Sequence, residues 1–189
     1  MSMFDARKRE IACRDDRSRK ASIDSAVRPL VDCLNAKRNF YTTSSCAGRI
    51  VLLERPSDNK YDARWMLVSH HNVTSGQVKE VLQPGEAPVW LKAESPILHL
   101  CARTIDDAQV FLSLAKESGF KRTGIISAKN RIIIECMGTD RIDTIVAKES
   151  RILVSDGYLQ VLAHEANITL SRNWERLESL RDACENRLS

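Results

Sequence analysis

Thr42-Thr43-Ser44-Ser45-Cys46-Ala47-Gly48-Arg49 packs four consecutive hydroxyl side chains, a thiol, a glycine and an arginine into eight residues. The strand-like pair Phe40-Tyr41 precedes this run, and the apolar segment Ile50 to Leu53 follows it. It is too polar for a core strand and too compact for idle linker. Hydroxyls and a glycine-freed backbone can crowd around a polar ligand, and an arginine can fork onto a carboxylate or phosphate. The plain structural reading of the same residues is a turn between two strands, with Gly48 supplying an unusual backbone angle.

Other residues able to do chemistry are scattered. Ser22 and Asp24 lie at a helix start, where both types are favoured caps. His70 ends an apolar strand and is titratable near neutrality. His99 sits inside an apolar strand and reads as a satisfied core histidine. Arg103 ends that same strand. The six cysteines, Cys13, Cys33, Cys46, Cys101, Cys136 and Cys184, form no Cys-x-x-Cys pair and read as reduced thiols. The histidines His70, His71, His99 and His164 show no metal-site spacing, so no metal is expected. A dinucleotide or ordinary Rossmann site needs a Gly-x-Gly turn, which the sequence lacks. Gly119 and Gly124 are spaced as in a phosphate loop, but Ile125-Ile126 follows instead of Lys-Ser/Thr.

The 189 residues carry a formal net charge of +4, with 43% hydrophobic and 29% charged residues. That is ordinary for a soluble protein, and its mild basicity suits an anionic partner. Basic residues cluster from Arg7 to Lys20 and again at Lys121, Arg122, Lys129 and Arg131. Either cluster is a solvated face or a phosphate contact. No apolar run reaches membrane-span length, and the N-terminus lacks an apolar signal core, so a cytoplasmic location is expected.

These residues must be held by α+β structure. Helical spacing predicts short helices over 3–13 and near Asp24 to Asn35, with Pro29 in the first turn of the second. It predicts further helices over 75–82, over 105–118 between a Thr104 cap and a Gly119 stop, and from Asp156 to about Ser179. Strands are expected at 40–43, 49–55, 65–69, 89–91, 97–103, 123–127, 131–137 and 141–146. The expected architecture is one domain over residues 1–189, a mixed or partly closed sheet flanked by helices, non-Rossmann.

Several segments, in order, resemble the tRNA wybutosine-synthesizing protein 3 family. The run from Thr42 to Arg49 is similar to that family's signature. Lys20-Ala21-Ser22-Ile23-Asp24 resembles its Lys-Gly-Ser-x-Asp element, with Ala21 in place of glycine. Trp65 to His70 resembles its strand ending in Ser/Thr-His, and Leu98 to Arg103 its His-Val-x-Ala/Cys-Arg strand. Ser118 to Ile125 is similar to its Gly-Phe-Lys-x-Ser-Gly-Ile element, while Tyr158 and Asn167 match positions in its last helix. The similarity covers about Lys20 to Leu180.

The resemblance implies a non-Rossmann methyltransferase using S-adenosyl-L-methionine. Its acceptor would be N4 of 7-aminocarboxypropyl-demethylwyosine at position 37, in the anticodon loop of phenylalanine tRNA. It implies that Ser22, Ser44, Ser45, Cys46, Gly48, Arg49 and Arg103 bind the cofactor. Asp24 and His70 would be the catalytic candidates for the departing proton. Lys121, Arg122, Lys129 and Arg131 would meet tRNA phosphates. A covalent role for Cys46 is not required, because direct transfer from a sulfonium needs no enzyme-bound intermediate. The competing readings are a non-catalytic RNA-binding module of the same fold and a methyltransferase for another wyosine derivative. Oligomeric state is left open.

Overall fold

A computed structural model describes residues 2–12, 23–57 and 62–188. In chain order the elements are α1 (Met3–Ala12), α2 (Arg28–Ala36), β1 (Phe40–Cys46), β2 (Arg49–Glu54), β3 (Arg64–Ser69), α3 (Ser75–Val81) and β4 (Val89–Glu94). There follow β5 (Ile97–Ala102), α4 (Ile105–Glu117), β6 (Arg122–Ser127), β7 (Ile132–Met137), β8 (Ile142–Lys148), β9 (Arg151–Ile152) and α5 (Asp156–Arg187). The α+β class stands. Every ladder among the described strands is antiparallel, and they form two open sheets rather than a mixed or partly closed one. Short connections such as Ala128-Lys129-Asn130 permit only antiparallel return, since a parallel pair needs a crossover of about a dozen residues.

The chain divides into two compact units. The first comprises residues 1–47, 96–139 and 174–189. It holds the sheet β1-β5-β7-β6. Strand alternation sends Leu98, Leu100, Ala102, Ile134 and Cys136 to one face, into a core with Leu30, Leu34, Phe111, Leu114 and Phe120. The last part of α5 adds Leu177, Leu180 and Cys184. Pro29 occupies the first turn of α2, where its missing N–H costs nothing. Thr104 and Asp107 close a capping box on α4, and Gly119 ends it at φ +91°.

The second unit comprises residues 48–95 and 140–173. Its sheet runs β3-β2-β4-β8-β9. Ile50, Val51, Leu52 and Leu53 of β2 are all buried, as the centre of an apolar sheet demands. Asn167 of α5 grips the Val73 backbone from both sides: its Oδ1 accepts the Val73 N–H at 2.9 Å and its Nδ2 donates to the Val73 carbonyl at 2.8 Å. That clamp fixes the loop just before α3, which Thr74 opens with a capping box to Gln77. Among the described residues no helix is long and apolar enough to cross a membrane.

Candidate functional site

The strand expected at 40–43 runs on through the rest of the hydroxyl run. β1 continues through Cys46 and pairs with β5 along its length, leaving only Ala47-Gly48 between β1 and β2. Threonine's branched side chain suits a pleated ladder, and β5 supplies the hydrogen-bonding partner. A bulge at Thr43 resets the alternation. Beyond it Ser44 and Cys46 pair with His99 and Ile97, and so share their face of the sheet. Ser45 pairs with Leu98 and points to the other. Ser44, Ser45 and Cys46, all expected to bind the cofactor, are therefore split between two faces. Asn35 fixes the start of the run, its Oδ1 accepting the Thr42 N–H at 2.8 Å.

On the first unit's open face three side chains form a continuous chain across adjacent strands. Ser44 Oγ lies 2.9 Å from His99 Nδ1, and His99 Nε2 lies 3.0 Å from Glu135 Oε2. A carboxylate oxygen only accepts, so Nε2 carries the proton of the second bond. With the ring uncharged, Nδ1 is then placed to accept from the Ser44 hydroxyl. His99 is thus no core histidine: its side chain is 25% exposed and Glu135 35% exposed. Gly124 of β6 stands opposite Glu135 in the same row, and a Cβ there would meet nothing within 4 Å. Cys46 is half-buried beside Ser44 on this face.

Asp24 is not the cap of α2, whose N-cap is Val27. Asp24 is 7% exposed and its carboxylate accepts the buried Ala47 N–H at 3.1 Å, so it secures the turn that ends the hydroxyl run. Ser22 lies outside the described residues. Arg103 is committed within its own unit. Its guanidinium donates to Asn39 Oδ1 at 3.0 Å, to Asp5 Oδ1 and to the Arg38 carbonyl, and lies 4.4 Å from the Phe4 ring centroid. It pins α1 to the sheet, and any cofactor contact would have to displace those partners. The Arg103 guanidinium holds the Asp5 carboxyl far below the usual carboxylate range. Lys121, Arg122, Lys129 and Arg131 are all exposed, at the start of β6 and in the β6–β7 connection.

In the second unit Gly48 adopts φ +86°, the left-handed conformation that glycine tolerates. Arg49 Nε donates to Glu94 Oε2 at 2.5 Å, and its guanidinium sits 5.1 Å from the Trp65 ring centroid. Trp65 is 40% exposed, so this guanidinium is offered to solvent on an aromatic shelf. His70 Nδ1 lies 3.1 Å from the Gly48 carbonyl, the geometry of a ring N–H donating to it, and so braces the glycine.

Sequence reading had bypassed two of the site's members, His99 as a donor–acceptor and Glu135 altogether. A local signal exists for the second: Glu135 interrupts the run Ile132-Ile133-Ile134 at a position where strand alternation exposes it.

The fold and these side chains define an antiparallel α+β protein with a polar sheet-face site and no glycine-rich nucleotide turn. The chain belongs to the Methyltransferase TYW3 family, whose model matches residues 6–186. It is 36% identical over 170 residues to a Pyrococcus abyssi protein named tRNA(Phe) 7-((3-amino-3-carboxypropyl)-4-demethylwyosine(37)-N(4))-methyltransferase 1, with 88% of each chain covered. It is 33% identical over 168 residues to a Bos taurus tRNA wybutosine-synthesizing protein 3 homolog, covering 86% of this chain and 65% of that one. The solved structure of the PH1069 protein from Pyrococcus horikoshii superposes with a TM-score of 0.85 at 33% identity, covering 96% of this chain and 95% of that chain. Family membership makes the chain a methyltransferase working with a methyl donor.

Proposed function

We propose that this protein transfers a methyl group from S-adenosyl-L-methionine to N4 of 7-aminocarboxypropyl-demethylwyosine at position 37 of phenylalanine tRNA. The observation that carries the reading is the segment from Ser44 to Arg49. It presents an exposed hydroxyl, a thiol, a left-handed glycine and a guanidinium in sequence, in a chain of a methyltransferase family.

The donor set fits such a cofactor. The Ser44 hydroxyl suits its ribose or amino-acid group and Arg49 suits its carboxylate, whereas Ser45, also expected to bind it, points to the opposite face of β1. Ser22 and Cys46 belong to the same proposed set, and Gly48 lets the backbone approach. When bound, the cofactor supplies an electrophilic methyl on a sulfonium. The chain's own contribution is positioning and exclusion of water. Asp24 holds the Ala47 turn, His70 braces Gly48, and both stand as candidates to orient the acceptor nitrogen. Lys121, Arg122, Lys129 and Arg131 would draw the anticodon loop by its phosphates, where the target base is readily splayed out.

Calorimetry with S-adenosyl-L-methionine should give a saturable isotherm. Mass spectrometry of phenylalanine tRNA from a deletion strain should show the aminocarboxypropyl-demethyl intermediate accumulating, and re-expression should clear it. An isotherm without heat, or tRNA unchanged by deletion, would overturn the reading. RNA binding without cofactor binding would mark a non-catalytic module instead.

A further inference from the structure

Methylating a ring nitrogen that bears hydrogen leaves a proton to be removed, and the structure contains a line of groups built to take one. Ser44 on β1, His99 on β5 and Glu135 on β7 stand in one cross-strand row, joined by bonds of 2.9 and 3.0 Å. Each atom has the polarity its neighbour needs. Glu135 fixes the ring tautomer by holding the Nε2 proton. That leaves Nδ1 as the acceptor of the Ser44 O–H, and Ser44 itself is exposed. The row opens at both ends, through the exposed Ser44 and over Gly124, where no Cβ intrudes. A core histidine needs neither opening. Ser44 also belongs to the run that resembles the family's signature.

We infer that Ser44, His99 and Glu135 form the proton relay of the methyl transfer; the inference rests on the function proposed above. The acceptor nitrogen uses its lone pair to form the N–CH3 bond, while the S–CH3 bond of the sulfonium donor breaks with its electron pair left on sulfur. The N–H proton passes to Ser44 Oγ as the Ser44 hydroxyl proton passes to His99 Nδ1. Ser44 ends unchanged. The positive charge lost from sulfur reappears on the His99 imidazolium, where Glu135 faces it. His99 and Glu135 act through Ser44 and are positioning residues, while Ser44 touches the substrate.

The test combines single-turnover methylation of phenylalanine tRNA with binding isotherms for S-adenosyl-L-methionine and for tRNA. Ser44→Ala and His99→Ala should each slow the chemical step about 100-fold or more, the usual worth of general-base assistance. Dissociation constants of the His99→Ala and Glu135→Gln variants should stay within about threefold of wild type, and Glu135→Gln should slow the step less. Added imidazole should restore at least tenfold in His99→Ala and nothing in Ser44→Ala. Independently of activity, nitrogen NMR of the cofactor-free protein should show His99 as the Nε2–H tautomer, with that preference reduced in Glu135→Gln.

Ser44→Ala removes one exposed hydroxyl and leaves the fold intact, so it keeps the test decisive even if His99→Ala destabilises the sheet. A Ser44→Ala rate within threefold of wild type overturns the relay, as does an Nδ1–H tautomer in the free protein. If wild type itself binds no S-adenosyl-L-methionine and methylates no tRNA, the proposed function falls and the relay with it. Normal wild-type turnover with a silent Ser44→Ala sinks the relay alone.

Discussion

The carboxylate of Asp24 reaches across the fold to accept the backbone N–H of Ala47, residues 23 apart in sequence and 3.1 Å apart in space. One buried acceptor thereby holds the end of β1 in place. Asp24→Ala would orphan a buried donor, costing about 1–3 kcal/mol and lowering Tm by several degrees. Asp24→Asn keeps an oxygen for Ala47 and should retain most of the stability. If the carboxylate also handles the substrate nitrogen, Asp24→Asn will still lose turnover. Thermal melts beside single-turnover rates separate the two contributions; equal stability of the Ala and Asn variants would refute the anchoring role.

Arg49 stands between Glu94 and the Trp65 ring with its side chain about one third exposed. So exposed a pair contributes at most about 1 kcal/mol to folding, and Arg49→Ala should fold normally. As the anion-holding group of the proposed site it should matter far more to binding. Its loss is expected to cut kcat/KM roughly 100-fold, the worth of about 3 kcal/mol. A change in Tm without a change in kcat/KM would reduce Arg49 to a surface ion pair.

Arg103 binds Asp5 and stacks on Phe4, which in turn lies 5.0 Å from Tyr41. The Arg103 hydrogen bond is the main cause of the lowered Asp5 pKa. A carboxyl whose folded pKa is depressed contributes stability that is fully present above its unfolded value, near 3.8. That contribution fades as pH falls through the lower folded value. Docking of α1 should therefore hold at neutral and mildly acid pH and weaken only in strong acid. Asp5→Asn should remove this pH dependence. Amide exchange along α1 measures it; a helix already unprotected at neutral pH in the wild type would contradict the anchor.

Cys33, Cys101, Cys136 and Cys184 are free thiols. Burial pushes Cys136 and Cys184 up to about 12, which leaves almost no thiolate at neutral pH. Alkylating reagents should reach Cys136 and Cys184 only after unfolding, as peptide mapping can show. Cys46 is half-buried and is the one in the proposed site. Because direct methyl transfer forms no bond to the enzyme, Cys46→Ser should retain substantial activity.

Legibility in the sequence followed the range of the interactions. Helix α4 was plain because Thr104 and Gly119 punctuate it locally, and both do so in the structure. Strand β5 was equally plain from its apolar run. The relation of His99 to Glu135 was not, because it depends on which residues of β5 and β7 fall opposite one another, 36 apart in sequence. In the hydroxyl run Thr42 and Thr43 read as strand, but Ser44 to Cys46 did not. Polarity argued for a loop, whereas pairing with β5 makes it strand and the Thr43 bulge decides which hydroxyl faces out. Helix α5 outran the expected end near Ser179 and reaches Arg187. Its buried stripe continues through Cys184 to Leu188, and cysteine was not counted as an apolar position. The two-residue strand β9 carries no pattern long enough to read.

Basic residues at the β6 end of the first sheet give the tRNA reading a quantitative test. Lys121, Arg122, Lys129 and Arg131 are exposed, and none of them makes a salt bridge among the described pairs. Exposed cations are the ones that can release counterions from a phosphate backbone. If all four engage, the slope of log Kd against log salt should reach about 3, at roughly 0.7–0.9 per contact. Replacing the four with Gln should flatten that slope by the same amount and weaken tRNA binding. Affinity for S-adenosyl-L-methionine should be untouched, because that ligand's charges are few and its proposed contacts lie on other strands. Filter binding from low to moderate salt reads the slope directly. An unchanged slope in the quadruple variant would move the phosphate contacts off this face and leave the four side chains as solvation alone.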